Sequence, residues 1–324
     1  MEEDNIFLAE IPRLYYNKGI VTKKEERAVW ILLFLLVLSA VLIDLLAVSY
    51  RVCRPLLMPE SRGEEVSPLT EQMLRSGRPF EVRTTDGCVM SALWLEAPEA
   101  SSRAVIFVHD AGGGKASMAD RAAFFLEQGY HVILYDQGRK PSTCGVRERK
   151  DLRLLCTVIF RQMGEGSQIG TLGVGAGAVT ALLHACLDSR ISFVIADTAA
   201  DPEEVLRRRL NLEYRMPSFP ILQAASVLCR IWGGFSFRDI SARQELQRRA
   251  GLIAVPVLFI HGEQDQEIPV EMAVKLFEAK QGAKELYLSP RAGHTKAWEA
   301  DPAEYERRVG EFLRKNLQEK RAAV

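Results

Sequence analysis

Three positions in this chain have the residue types and the order of a nucleophilic catalyst, and one of them lacks the side chain the chemistry needs. The run Leu172-Gly-Val-Gly-Ala-Gly-Ala178 has glycines at 173, 175 and 177. This is the spacing of G-x-S-x-G, which sets a serine on a sharp strand-to-helix turn, with small neighbours so that the backbone can fold tightly. Gly175 stands where that serine belongs. Asp265 and His294 come later, each just after an apolar run: Val255-Pro-Val-Leu-Phe-Ile260 leads to Asp265, and Glu285-Leu-Tyr-Leu288 leads to Gly293-His294. A carboxylate that orients a histidine, and a histidine that accepts the attacking group's proton, are the partners such a nucleophile uses. Glycine has nothing to attack a carbonyl with, so no acyl intermediate forms at Gly175 by that route. Thr171 and Thr180 lie outside the turn. Cys144, or a water activated by Asp265 and His294, are the remaining substitutes.

The elements that must position these residues alternate between strand and helix, the pattern of an α/β domain with a largely parallel sheet. Phe80–Thr84 and Val89–Leu95 flank Asp86-Gly87 and read as a hairpin. Ala104–Val108 is a continuous apolar run, as in a buried parallel strand. A helix over Ala116–Glu127, a strand over Val132–Tyr135 and a helix over Arg149–Gln162 follow. Ile169–Gly173 is the strand before the turn, and Ala176–Leu187 the helix after it. Ile191–Ala196, Val255–Ile260 and Glu285–Leu288 complete the sheet, and Ala303–Leu317 is a final amphipathic helix. Residues 201–251 break the rhythm, with helical patterns, Pro217, Pro220 and Gly233-Gly234 but no strand. An insertion of that length reads as a helical cap over the strand ends.

The N-terminus differs in kind. Residues 1–27 form a tail, and Ala28–Tyr50 is almost wholly apolar with Asp44 its single charge. That length suits a transmembrane helix. The tail is long for a signal peptide, although Ala47-Val48-Ser49 resembles a cleavage site. The expected organisation is an uncleaved single-pass anchor at 28–50, a polar connector at 51–79 and a catalytic-type domain at 80–320. Basic residues before the span outnumber those after it, which leans toward a domain outside the cell. Six cysteines without disulfide or metal spacing lean toward a reducing compartment. The 42 basic and 42 acidic residues balance, which argues against nucleic acid as a partner.

With these motifs in view, the chain resembles the α/β-hydrolase superfamily from about Arg78 to Leu317, most closely small membrane-anchored bacterial members related to serine esterases and aminopeptidase-like hydrolases. The resemblance rests on the loop His109-Asp-Ala-Gly-Gly-Gly114, on Tyr135-Asp136-Gln137, on the glycine turn, and on the Asp265 and His294 loops in that order. It implies an α/β-hydrolase fold in which Asp265 supports His294 as general base. The oxyanion hole would use the Ala176 N–H and one from Asp110 or Ala111. No metal or cofactor is implied, and the ligand would be a small acyl or peptide-like molecule. Two departures stand out: Asp110 replaces the usual glycine, and Gln137–Ser142 departs from the usual pattern after Asp136. A similar glycine turn occurs in the N-myc downstream-regulated family, whose members are regarded as non-enzymatic. The expectation is therefore a pseudo-hydrolase, with an active water-using hydrolase as the alternative. Returning serine to position 175 is expected to restore labelling by a fluorophosphonate.

Gly173, Gly175 and Ala178 also fit the dinucleotide fingerprint G-x-G-x-x-G/A, with Asp197 at the end of the next strand. That alternative leaves Asp265 and His294 without a role. Gly112-Gly-Gly-Lys115 fails as a phosphate loop, because His109 and Ala116 replace its first glycine and its hydroxyl. His131, His184 and His261 read as structural or exposed, with no metal-type spacing.

Overall fold

The computed structural model describes residues 23–60, 67–139, 141–164, 166–248 and 255–322. The chain divides into two units, Met1–Leu45 and Leu46–Val324. Helix α1 (Lys23–Leu57) begins in the first. Its apolar stretch has a mean hydropathy of 3.0 and is long enough to cross a membrane.

The second unit is built on an eight-stranded sheet in the order β1-β2-β4-β3-β5-β6-β7-β8. The strands are β1 (Arg78–Arg83), β2 (Val89–Leu95), β3 (Arg103–Val108), β4 (His131–Tyr135), β5 (Gln168–Val174), β6 (Ile191–Asp197), β7 (Val257–Gly262) and β8 (Lys284–Ser289). The β1–β2 hairpin joins β4 antiparallel, and every pairing from β4 through β8 is parallel. The inner strands are apolar on both faces because both are covered. Ala104, Ile106 and Val108 of β3 pack toward α4 (Glu148–Met163) and α5 (Ala176–Ala185), while Val105 and Phe107 face α3 (Ala122–Glu127) and α11 (Pro302–Ala322). This two-residue alternation makes two core layers from one strand. The loops after β5, β7 and β8 leave the same end of the sheet, and ligands bind at that end in open α/β sheets.

Two regions depart from the sequence reading, and a third, 201–251, is helical as the sequence reading has it. The helix expected over 116–127 begins as a 3-10 turn (Lys115–Arg121) before α3. The connector expected at 51–79 is not a plain linker. Helix α1 continues through it to Leu57, with Ser49, Val52, Cys53 and Leu57 buried in the domain, and α2 (Pro68–Ser76) follows. The reason is the spacing of those four residues, which places them along one helical stripe. Residues 201–251 contain α6 (Pro202–Leu212), α7 (Ser218–Gly233), a 3-10 turn (Phe237–Ile240) and α8 (Ala242–Arg248), with no strand among the described residues. Leu206, Leu210, Ile221, Leu222, Phe237 and Ile240 are buried there. The Asp201 carboxylate closes the base of the insertion, accepting from the Ser241 hydroxyl at 2.9 Å. Beyond it, α9 (Val270–Ala279) and α10 (Ala297–Ala300) complete the element list.

Candidate active site

Gly175 turns the chain from β5 into α5 with φ 55° and ψ −120°. Residues with a side chain rarely adopt this backbone, so its presence marks a built turn. The Gly175 N–H donates to the Asp197 carbonyl at 2.9 Å, and its own carbonyl accepts from the Ala178 N–H at 3.1 Å. Close packing explains the glycine two residues on: a Cβ at Gly177 would lie 2.0 Å from the Val108 carbonyl oxygen. The elbow predicted from spacing is present, with Gly175 at its apex.

The loops after β7 and β8 bring Asp265 and His294 together across 29 residues. Asp265 Oδ1 accepts from the N–H groups of Glu267 and Ile268 at 2.9 and 2.8 Å. Its Oδ2 accepts from His294 Nδ1 at 2.9 Å. That bond fixes the ring and leaves Nε2 as the basic atom of the neutral imidazole. Burial opposes charge on Asp265, but the bonds from His294 and Ile268 outweigh it and hold the carboxyl below its ordinary value of 3.8. Burial likewise opposes protonation of His294. The Asp265 bond, with the charges of Asp265, Glu267 and Asp110, overcomes this and raises the imidazole above 6.5.

The third position holds the surprise. Asp110, on the loop after β3, fills the space of the missing side chain. A Cβ at Gly175 would lie 2.0 Å from Asp110 Oδ1 and 2.5 Å from its Cγ. The same Oδ1 accepts from the Ala176 N–H at 2.9 Å. The carboxylate therefore occupies both the nucleophile's volume and one expected oxyanion donor. An anion at this place is favoured by the exposed N–H groups and dipole of α5.

His109 steadies that loop. Its Nδ1–H donates to the Asp110 carbonyl at 2.8 Å, and its Nε2 accepts from the Gln137 N–H at 3.0 Å. Gln137 returns a side-chain bond to the His109 carbonyl at 2.8 Å. Asp136 accepts from the Lys115 N–H and from Lys115 Nζ, each at 2.8 Å. Lys115 thus braces two strand-end loops.

A cavity of about 330 Å³ opens beside Asp110 and Ala176, lined also by Met58, Pro59, Ala111 and Glu148. Sequence reasoning missed Met58, Pro59 and Glu148. Glu148 is buried and accepts from the N–H groups of Thr143 and Gly145 at 2.7 and 3.0 Å, contacts with no periodic signature. Gln137 had a signal, since it lies two residues past the end of β4. Cys144 also lines the cavity, but burial pushes its thiol up and Sγ faces the Leu56 carbonyl at 3.9 Å. A thiol kept protonated is a poor nucleophile.

The dinucleotide reading does not survive. Asp197 is fully buried, accepts from the Thr198 hydroxyl at 2.9 Å, and has no route to a ribose. His131 bonds to the loop at Ala97, His184 is buried beside Asp188, and His261 donates to the Ile268 carbonyl at 2.8 Å. Among the described residues no group of three or more His, Cys, Asp or Glu side chains is placed to hold a metal ion.

No family model matches the sequence. The uncharacterized protein YqkD of Bacillus subtilis (strain 168) is 33% identical over 261 residues, which is 78% of this chain and 83% of YqkD. Among solved structures, the Pyrococcus furiosus esterase Pf2001 superposes with a TM-score of 0.62 at 21% identity, covering 80% of this chain and 97% of the esterase. The α/β hydrolase GrgF from Penicillium sp. sh18 gives 0.56 at 20% identity, over 74% of this chain and 98% of GrgF. The Pyrococcus horikoshii acylaminoacyl peptidase gives 0.54 at 14% identity, over 78% of this chain and 44% of the peptidase. At these identities the structural matches establish the fold.

Proposed function

This chain belongs to the α/β-hydrolase superfamily and to the same family as YqkD, and from that premise we propose that it is a membrane-anchored, catalytically impaired member that binds an acyl or peptide-like ligand. One observation carries the reading: Asp110 Oδ1 takes the Ala176 N–H and lies 2.0 Å from where any side chain at 175 would begin. The acyl-enzyme route needs a nucleophile at the elbow and free donors for the oxyanion that follows. Here the nucleophile is missing and an anion already bonds the Ala176 donor. The cavity beside Asp110 has a volume ordinary for small-molecule sites. Membrane anchoring is supported by α1, whose last turns are buried in the domain. Cleavage near Ser49 would sever part of that packing.

A second reading has its own support in the intact Asp265–His294 pair. A general base with its orienting carboxylate can activate water without a nucleophilic residue. Both readings are tested on the full chain in detergent with short-chain p-nitrophenyl esters and a fluorophosphonate probe. The first expects near-background turnover and no labelling. Efficient turnover that disappears in His294→Ala would establish the second instead. Gly175→Ser alone is expected to label weakly, since serine must displace the Asp110 carboxylate; Gly175→Ser with Asp110→Gly is expected to label strongly. This revises the expectation that serine by itself would suffice.

A further inference from the structure

Among the described residues of 46–324, every large hydrophobic side chain that is strongly exposed lies within 46–58 or 212–232. Leu212 is 60% exposed, Phe219 72%, Val227 55%, Ile231 69% and Trp232 51%. On α7 the inward stripe of Leu222, Ala225 and Cys229 is buried, yet Val227 and Ile231, one turn apart, face outward. A helix apolar on both sides is suited to being covered on both. Among the described residues, nothing in the domain covers the outer side.

The chain itself indicates the cover. The last turns of α1 lie along α7: the Ser49 hydroxyl donates to the Ile221 carbonyl at 3.2 Å, and the Tyr50 and Trp232 rings meet edge to face at 5.1 Å. The domain's own first helical turns therefore meet α7 at a Tyr–Trp pair of the kind enriched at membrane interfaces. The charge around this face is basic. Residues 207–232 hold Arg207, Arg208, Arg209, Arg215 and Arg230 against Glu213 alone. Arg209 pairs with Glu213 at 2.9 Å and Arg207 with Glu203 at 2.8 Å, while Arg215 and Arg230 are exposed beside the apolar residues.

We propose that the outer face of α7, with the α6–α7 loop, docks on an anionic lipid surface, its apolar side chains entering the acyl boundary and its arginines meeting lipid phosphates. This rests on the reading of α1 as a membrane anchor.

The test uses the full chain reconstituted in vesicles of phosphatidylcholine, with and without phosphatidylglycerol, some lipids being brominated near the top of their acyl chains. In a Trp30→Phe, Trp232→Phe background, where the remaining Trp94 and Trp298 set a common baseline, the added signal of Val227→Trp reports on α7 and that of Arg83→Trp on the β1 edge strand. Extraction with alkaline carbonate reads α1 independently; release of the chain would refute the anchor and with it this proposal. If the chain is retained, brominated lipid is expected to quench Val227→Trp strongly, more so with phosphatidylglycerol, and to leave Arg83→Trp unchanged. Equal quenching at both positions, or none at Val227→Trp, overturns the docking and leaves the anchor standing. A blue shift of Val227→Trp that needs no lipid and grows with protein concentration would assign the face to a second copy, and also overturns it.

Discussion

At the scale of single residues, the site is defined by a carboxylate in an unaccustomed place. Asp110 contributes charge to His294 as well as filling the space at Gly175. Asp110→Asn is therefore expected to lower the His294 pKa, read by NMR titration of the ring; an unchanged value would show that Asp110 does not act on it. The Asp265–His294 pair also links stability to pH. His294 is raised above 6.5, so its contribution is full below that value and is lost as pH rises through the folded pKa. Asp265 is lowered below 3.8, so its contribution is full above that value and is lost as pH falls through the folded one. The stability gap between the native chain and Asp265→Asn should be widest between pH 3.8 and 6.5 in thermal melts. A gap that grows steadily through alkaline pH would contradict this.

At the scale of elements, the elbow is a packing solution. Alanine at Gly177 improves helix propensity, yet its Cβ would meet the Val108 carbonyl oxygen at 2.0 Å, and backbone does not yield cheaply. Gly177→Ala should cost roughly 1–3 kcal/mol in urea unfolding, an overpacking penalty. No loss of stability would mean that α5 can slide away from β3. The same scale shows what the sequence could reveal. Strands such as β3 and β7 were legible because burial on both faces leaves continuous apolar runs, and the elbow because its glycines have a fixed spacing. Asp265 and His294 were legible because each follows a strand end. The overlap of Asp110 with position 175 was not, because it depends on how two loops 66 residues apart approach one another. The continuation of α1 was hidden for a similar reason: Arg51 and Arg54 look like a connector until the buried stripe between them is known.

At the scale of the molecule, the domain begins earlier than its first strand. Val52, Cys53 and Leu57 are fully or almost fully buried, so a chain beginning at Leu46 keeps its core, whereas one beginning at Glu60 uncovers it. Losing a buried residue the size of leucine costs roughly 2–5 kcal/mol. The longer chain is expected to melt in one cooperative step, and the shorter one at a markedly lower temperature. Equal melting would show that these turns are not part of the domain. Met58 and Pro59 line the cavity, so the shorter chain should also lose part of its ligand site.

The contact between Asp110 and the elbow ties two positions into one. While Asp110 holds its place, a serine placed at 175 must evict a charged hydrogen bond worth about 1.5–3 kcal/mol. While Gly175 stays, replacing Asp110 abandons that bond and supplies no nucleophile. Each single change is therefore unfavourable by itself, and only the paired change opens the turn to a side chain. The two neighbouring residues act as an interlock, in which neither can be altered to advantage without the other.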